Sequence, residues 1–458
     1  MGMDVLKVLS ANGLVALFGL VSSLVLPKIL KLEDYAYYQA FLLYLSYVAV
    51  LHLGFPTGLS IKYAGGQVEK INRSQYKSEF ILQILIPAFF SVIGICIYLY
   101  SANAMVLYIS LLTVSYCFFG GFLSVLQSWG RFGLYAVLHV LVSGGLLFLP
   151  IIYFLIEGRL SADNCIQFYL LVYAIMMIWG LNYNASIIRN AESKKIFSNE
   201  NFQTGKTGFI FLLGNYITLL LHSIDKQFIQ WFCMVQEFAY YSFALTMQNT
   251  MTIFITAVSQ PLFPYIASGK LQSREQYMRI KRLLMMLGSA SGLAYFACVL
   301  VVKLWISNYE ASLSVIHIYF AVFPAIAVIN GLYLNLYKVQ GRKYRYIADL
   351  LIVFIVAAIA NFLAIKLEWG YLGIAFATVL VNYLWFFYGQ ILFKELSIEK
   401  KDVVFVVLFL LEFYFVSGIQ SPLWGIVEYF ILDLLLCFFC FKKEILFLAN
   451  KVVRKGEK

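Results

Sequence analysis

The sequence predicts an all-α integral membrane protein of about 14 transmembrane helices, in two six-helix lobes followed by two further helices. Three observations predict it. Hydrophobic residues make up 62 % of the chain and charged residues 12 %, half the charge of an ordinary soluble domain, and the mean hydropathy is +0.83. Apolar runs of bilayer-crossing length recur from end to end. A motif also returns near half the chain length. Asp34, Tyr35, Ala36, Tyr37 and Tyr38 are echoed by Glu237, Phe238, Ala239, Tyr240 and Tyr241. The same offset carries Asn12 onto Asn215, and a second echo joins Gly130, Arg131 and Tyr135 to Gly341, Arg342 and Tyr346.

In order, the spans fall near 5–27, 36–54, 80–100, 104–126, 134–156, 166–187, 208–233, 238–266, 283–304, 313–337, 346–366, 371–393, 403–418 and 422–441. The first run lacks a small-residue cleavage site leading into a soluble domain, so it reads as a retained helix. No appended soluble domain fits between the runs. Basic residues set the orientation. With the N-terminus in the cytoplasm, 28 of the 34 lysines and arginines fall in cytoplasmic segments or, for Lys7, at the cytoplasmic end of a span, as the positive-inside rule requires. The longer loops, 55–79, 188–207 and 267–282, lie on that side. A net charge of +11 is then a topology signal with some attraction to anionic membrane lipids. Spread over many short loops, it predicts no nucleic-acid partner.

Both echoes step by six helices. An even step inserts both lobes the same way, so a pseudo-twofold axis along the membrane normal is expected. The expected divisions are 1–205 for helices 1–6, 206–397 for helices 7–12, and 398–458 for helices 13–14 with a basic cytoplasmic tail.

Polar groups inside spans are the functional candidates, because ionisable groups are costly in hydrocarbon and face protein or water. On helix 7, Asn215, Thr218, His222, Asp225 and Lys226 fall within a sector of about 100°, with Gln230 extending the stripe; a buried Asp225–Lys226 pair that fixes helix packing is the alternative there. Helix 1 carries a milder face of Asn12, Ala16, Gly19 and Ser23, which a helix-packing seam would also explain. Helix 8 carries Ser242, Thr246, Asn249, Thr256 and Gln260, with Thr252 and Ser259 beside them. Hydroxyls bonding their own backbone are the alternative there. Pro27, Pro56, Pro261 and Pro264 mark span ends. Asp349 is expected at the cytoplasmic interface, and Glu412, Glu428 and Asp433 are expected to pair between the last two helices, with a proton relay as the alternative. The seven cysteines read as small apolar residues. Four scattered histidines give no metal site, and no cofactor is expected.

Leu26, Pro27 and Lys28, then Leu32 to Tyr35, then His52 to Phe55 with Lys62, Tyr63, Gly65 and Gly66, and Ser223 to Lys226 together resemble the polysaccharide-biosynthesis flippases. These are the O-antigen or Wzx-type transporters, of the superfamily that also holds the multidrug (MATE) exporters. The resemblance covers the full length. It implies two six-helix lobes around a central cavity. It also implies a substrate of oligosaccharide on polyprenyl pyrophosphate, moved from the cytoplasmic to the outer leaflet of the bacterial inner membrane by alternating access, driven by a proton or sodium gradient. It implies other polysaccharide-assembly membrane proteins as further partners. Lys226 is the basic residue well inside a polar stripe, so Lys226→Ala is expected to impair export. Lys28, Arg131 and Arg342 are candidate pyrophosphate contacts, since guanidinium suits phosphate; ordinary loop charge is the alternative for the two arginines. A MATE-like exporter of cationic small molecules is the runner-up and would favour an acid deep in a lobe. A glycan polymerase or ligase is third, and would need a substantial outer loop that the chain lacks.

Overall fold

The computed structural model describes residues 2–66, 68, 71–192, 194–259, 262–268, 271, 273–418 and 421–456. The described residues are helices and their connections. Each of the fourteen expected spans coincides with one helix or with consecutive helices. Among the described residues ten helices are long and apolar enough to cross a membrane, or twelve if each of two bent pairs is one span. This is a multi-pass membrane protein. The chain divides into two compact units, Met1–Leu220 and Leu221–Lys458. The seventh expected span, a 34-residue helix, runs through the division.

The first unit holds α1 (Gly2–Ile29), α2 (Leu32–Val48), α3 (Phe55–Lys62), α4 (Arg73–Ser101), α5 (Ala104–Ser128), α6 (Phe132–Glu157), α7 (Ala162–Ile188) and the start of α8 (Asn199–Phe232). Polar caps start several of them. Asn72 and Asn103 accept from backbone N–H groups in the first turns of α4 and α5, and Ser161 with Asn164 forms a capping box on α7. The hub is α5, which packs on α2, α3, α4, α6 and α7. Leu112, Phe118, Val125 and Leu126 on it are fully buried.

The second expected span is not one rod. Leu53 (φ 51°) and Gly54 (φ 74°) are both left-handed, and the backbone N–H of Gly54 donates to His52 Nδ1 at 3.0 Å. The chain therefore turns by 57° into α3. That turn sets α3 across α8 at backbone contact. A Cβ on Gly208 would lie 2.0 Å from the Gly54 carbonyl oxygen, and one on Gly58 would lie 2.1 Å from that of Thr204. Small residues four apart on each helix permit this crossing.

The second unit holds the end of α8, then α9 (Val235–Ser259), α10 (Leu262–Ala267), α11 (Arg274–Ala290), α12 (Leu293–Trp305), α13 (Ser312–Phe320), α14 (Phe323–Val328), α15 (Leu334–Val339), α16 (Lys343–Lys366), α17 (Gly370–Leu392), α18 (Lys400–Ser417) and α19 (Pro422–Gly456). Its core is the tenth expected span. That span bends by 50° between α13 and α14, where Pro324 opens a new helix, and then passes through a π-helical turn at Ile329–Tyr333. Tyr319, Phe320, Ala321, Val322 and Phe323 are wholly buried there.

The second echo is visible as geometry. Gly130 and Gly341 both adopt left-handed φ, 69° and 64°. Arg131 and Arg342 follow with almost the same backbone angles, and each donates its N–H five residues back, to Leu126 and Tyr337. In both units an arginine thus opens the next helix from the same turn.

Asp349, near the start of α16, is 1 % exposed, and it accepts from Tyr337, Tyr388 and Arg345 at 2.7 to 3.1 Å. Three donors offset the cost of burying its charge.

Candidate functional site

A cavity of about 360 Å³ lies in the second unit. α8, α9, the broken helix α13–α15, α16 and α17 wall it. Its polar lining is unusual for a membrane interior: Gln248, Asn249 and Thr252 from α9, Asn330 from the π-helical turn, and Thr378 and Asn382 from α17. Trp385 adds an aromatic wall. A π-turn inserts one residue into the helical register and re-aims the side chains around it. Here it delivers Asn330 to the lining, while Asn335, on the following turns, bonds back to Gly331.

α8 contributes His222, which is exposed, and Asp225, which is buried. Asp225 Oδ2 accepts from Tyr319 at 2.5 Å and from Tyr241 at 2.7 Å, and the two tyrosine hydroxyls also touch each other. Asp225 Oδ1 accepts from the backbone N–H of Lys226. An acid at this depth is thereby held by three donors from three elements. Asp225 is the one carboxylate in the lining, which contains no lysine or arginine.

The structure brings together some expected site residues and separates others. His222, Asp225 and Asn249 line the cavity. Lys226 does not. Its ammonium sits 5.6 Å from the centre of the Phe238 ring. Asn215 is exposed and belongs to the first unit. Asn12 is exposed and accepts from Tyr135 at 3.5 Å, with His139 on the same hydroxyl. Ser23 bonds its own helix at the Leu20 carbonyl. Thr246, Thr250, Thr252 and Ser259 do the same on α9. Lys28, Arg131 and Arg342 are exposed at helix ends. Gln260 and Pro261 lie outside the described residues, as do Lys70 and Lys270 of the basic loops.

Sequence reasoning missed Gln248, Tyr319, Asn330, Thr378 and Asn382. Each is one polar residue on an otherwise apolar span, and only tertiary packing assembles them. The i,i+4 pair Thr378 and Asn382 was a local signal, and Asn382 donates to the Thr378 carbonyl at 2.8 Å.

No family profile and no curated protein sequence matches the chain. Among solved structures, "Lipid II flippase MurJ, inward closed conformation" superposes with a TM-score of 0.71 over 96 % of this chain and 99 % of that one, at 13 % identity. The chain has the lipid II flippase fold. The MATE multidrug transporter DinF-BH follows at a TM-score of 0.49, with 15 % identity over 84 % of this chain and 93 % of that one. A Vibrio cholerae MATE transporter, VcmN, follows at 0.46, with 13 % identity over 85 % and 96 %.

Proposed function

We propose that the protein is a flippase that carries oligosaccharide repeat units on a polyprenyl pyrophosphate from the cytoplasmic to the outer leaflet of a bacterial inner membrane. It makes and breaks no bond. One observation carries the reading: in a lipid II flippase fold, the cavity of the second unit is lined by amides, hydroxyls and an indole. Sugars are recognised by such groups, which match dense hydroxyls without charge and pack against ring faces. Asp225 and the absence of lysine or arginine in the lining fit the sugar better than the pyrophosphate there. The anionic group is then met elsewhere, with Lys28, Arg131 and Arg342 as candidates. Alternating access of six-helix lobes at 1–205 and 206–397 is part of this proposal, as are cytoplasmic termini and contacts with other polysaccharide-assembly proteins.

The deciding experiment is deletion of the gene. Lipid-linked repeat units should accumulate on the cytoplasmic side. If they still reach the outer leaflet with no substitute flippase present, the reading fails.

One observation favours a second reading. A MATE-like exporter of organic cations would use an acid deep in a lobe, and Asp225 lines this cavity. Proteoliposomes would then accumulate a fluorescent cation under an ion gradient, and Asp225→Asn would abolish the uptake.

A further inference from the structure

The first unit carries a hollow of different character, a groove of about 670 Å³. It follows from the break in the second span. Because Leu53 and Gly54 turn the chain by 57°, α3 leaves the direction of α2 and crosses α8. A crease remains between the bend, α4 and the start of α8. Phe55, Leu82, Ile86, Phe202 and Phe209 line it, together with Phe197 from the segment before α8. Phe197 and Phe202 are 88 % and 68 % exposed. One cation reaches it. Lys206 lies four residues after Phe202 and three before Phe209, so all three share a strip of α8. Among the described residues, no side chain accepts a hydrogen bond or forms a salt bridge with Lys206. The neighbouring Lys62 is engaged by Glu79 and Glu200, each at 2.5 Å.

We infer that this groove holds the isoprenoid chain of the lipid-linked substrate, with Lys206 against its phosphate. The inference rests on the flippase reading and names where the lipid half of that substrate sits. The geometry runs in the right order. From its first residue α8 rises about 1.5 Å per residue, so Phe202 and Lys206 lie near the end from which the loop basic residues project, while Phe209, with Leu82 and Ile86 well inside α4, lies deeper. A phosphate at the headgroup level and a chain running inward match that order. A chain already in the bilayer gains no hydrophobic free energy from a groove. Selectivity therefore comes from shape and from the cation. A single aromatic-lined groove suits one methyl-branched chain better than the paired chains of a phospholipid.

The test uses the full chain in nanodiscs of phosphatidylethanolamine and a polyprenyl phosphate bearing a photoactivatable diazirine on its chain. After irradiation, peptide mapping should place the label on the groove walls, within residues 53–55, 82–86 or 197–209. Unlabelled polyprenyl phosphate should compete it away, and phosphatidylglycerol should not. Lys206→Gln should weaken apparent binding about fivefold, the worth of one lysine at a membrane surface, with the melting temperature of the protein unchanged. Label confined to other segments overturns the proposal, as does equal competition by phosphatidylglycerol. Either result leaves the flippase reading intact if deletion still traps lipid-linked repeats on the cytoplasmic side. Groove labelling without such trapping would instead sink the flippase reading and keep the binding site.

Discussion

Asp225 and Lys226 are adjacent in sequence and differ in what they face. The carboxylate opens to the cavity of the second unit under two tyrosine hydroxyls, while the ammonium sits over Phe238. Sequence periodicity placed both on one stripe, because a sector of about 100° admits neighbours. It had no means of separating them, since the separation depends on Tyr241, Tyr319 and Phe238 arriving from other helices. Two expectations follow from the geometry. Tyr319→Phe removes one donor to a buried carboxylate, which costs about 1.5–3 kcal/mol. It should lower the melting temperature of the purified protein and reduce export. Asn382→Leu should instead leave the melting temperature near wild type and reduce export about tenfold, the effect of stranding polar substrate groups against an apolar wall. The measurement is surface polysaccharide per molecule of membrane-inserted protein. Equal export by Asn382→Leu would remove the cavity from the transport path.

Between elements, close backbone approach decides more than apolar area does. The crossing of α3 and α8 admits no Cβ at Gly208 or Gly58. Gly208→Ala should therefore force the helices apart, at a cost of about 1–3 kcal/mol, read as a lower melting temperature and a smaller yield of monodisperse protein. If Gly208→Ala matches wild type, the crossing is looser than described. Helix positions were legible in the sequence because apolar runs of bilayer length carry their own signal. The breaks were less so. His52–Gly54 reads as the end of a span, and only the left-handed pair at Leu53 and Gly54 reveals a bend that continues into α3. The π-turn at Ile329–Tyr333 has no proline to announce it, and with it Asn330 escaped notice. The echoed Gly–Arg turns were legible to the residue, because positive φ favours glycine and both copies carry it.

Across the whole chain, each unit closes its third span with a buried ionic cluster, and in each the closing groups come from the helix that follows the sixth span of that lobe. In the first unit, Glu79 is fully buried and accepts from Lys62, Tyr63 and Gln75, while Glu200 and Asn201 at the start of α8 complete the set. Burial, then the charge of Glu79, pushes the Tyr63 phenol above its ordinary range, so it stays a donor at any physiological pH. In the second unit, Lys281 is fully buried and donates to Gln390 and to the Ser397 carbonyl, and it pairs with Asp402 at 2.6 Å. Arg282 reaches Glu399, Asp402 and Glu444. The start of α18 thus stands to the second unit as the start of α8 stands to the first, like the opening of a third repeat. The two C-terminal helices are then structural parts of the second unit and not an appendage. A chain ending at residue 394 would lose Ser397, Glu399, Asp402 and Glu444 together and leave Lys281 with the neutral Gln390 side chain in place of its counter-charge, a cost of about 3–5 kcal/mol. It should fail to run as a monodisperse peak after detergent extraction at temperatures where the full chain does. Adding Lys281→Met and Arg282→Met to the truncated chain should recover part of the peak, because a removed charge needs no partner. Recovery would locate the defect at the cation. Equal behaviour of the truncated and full chains before any substitution would show that the cluster contributes little, and that α18 and α19 are dispensable to the fold.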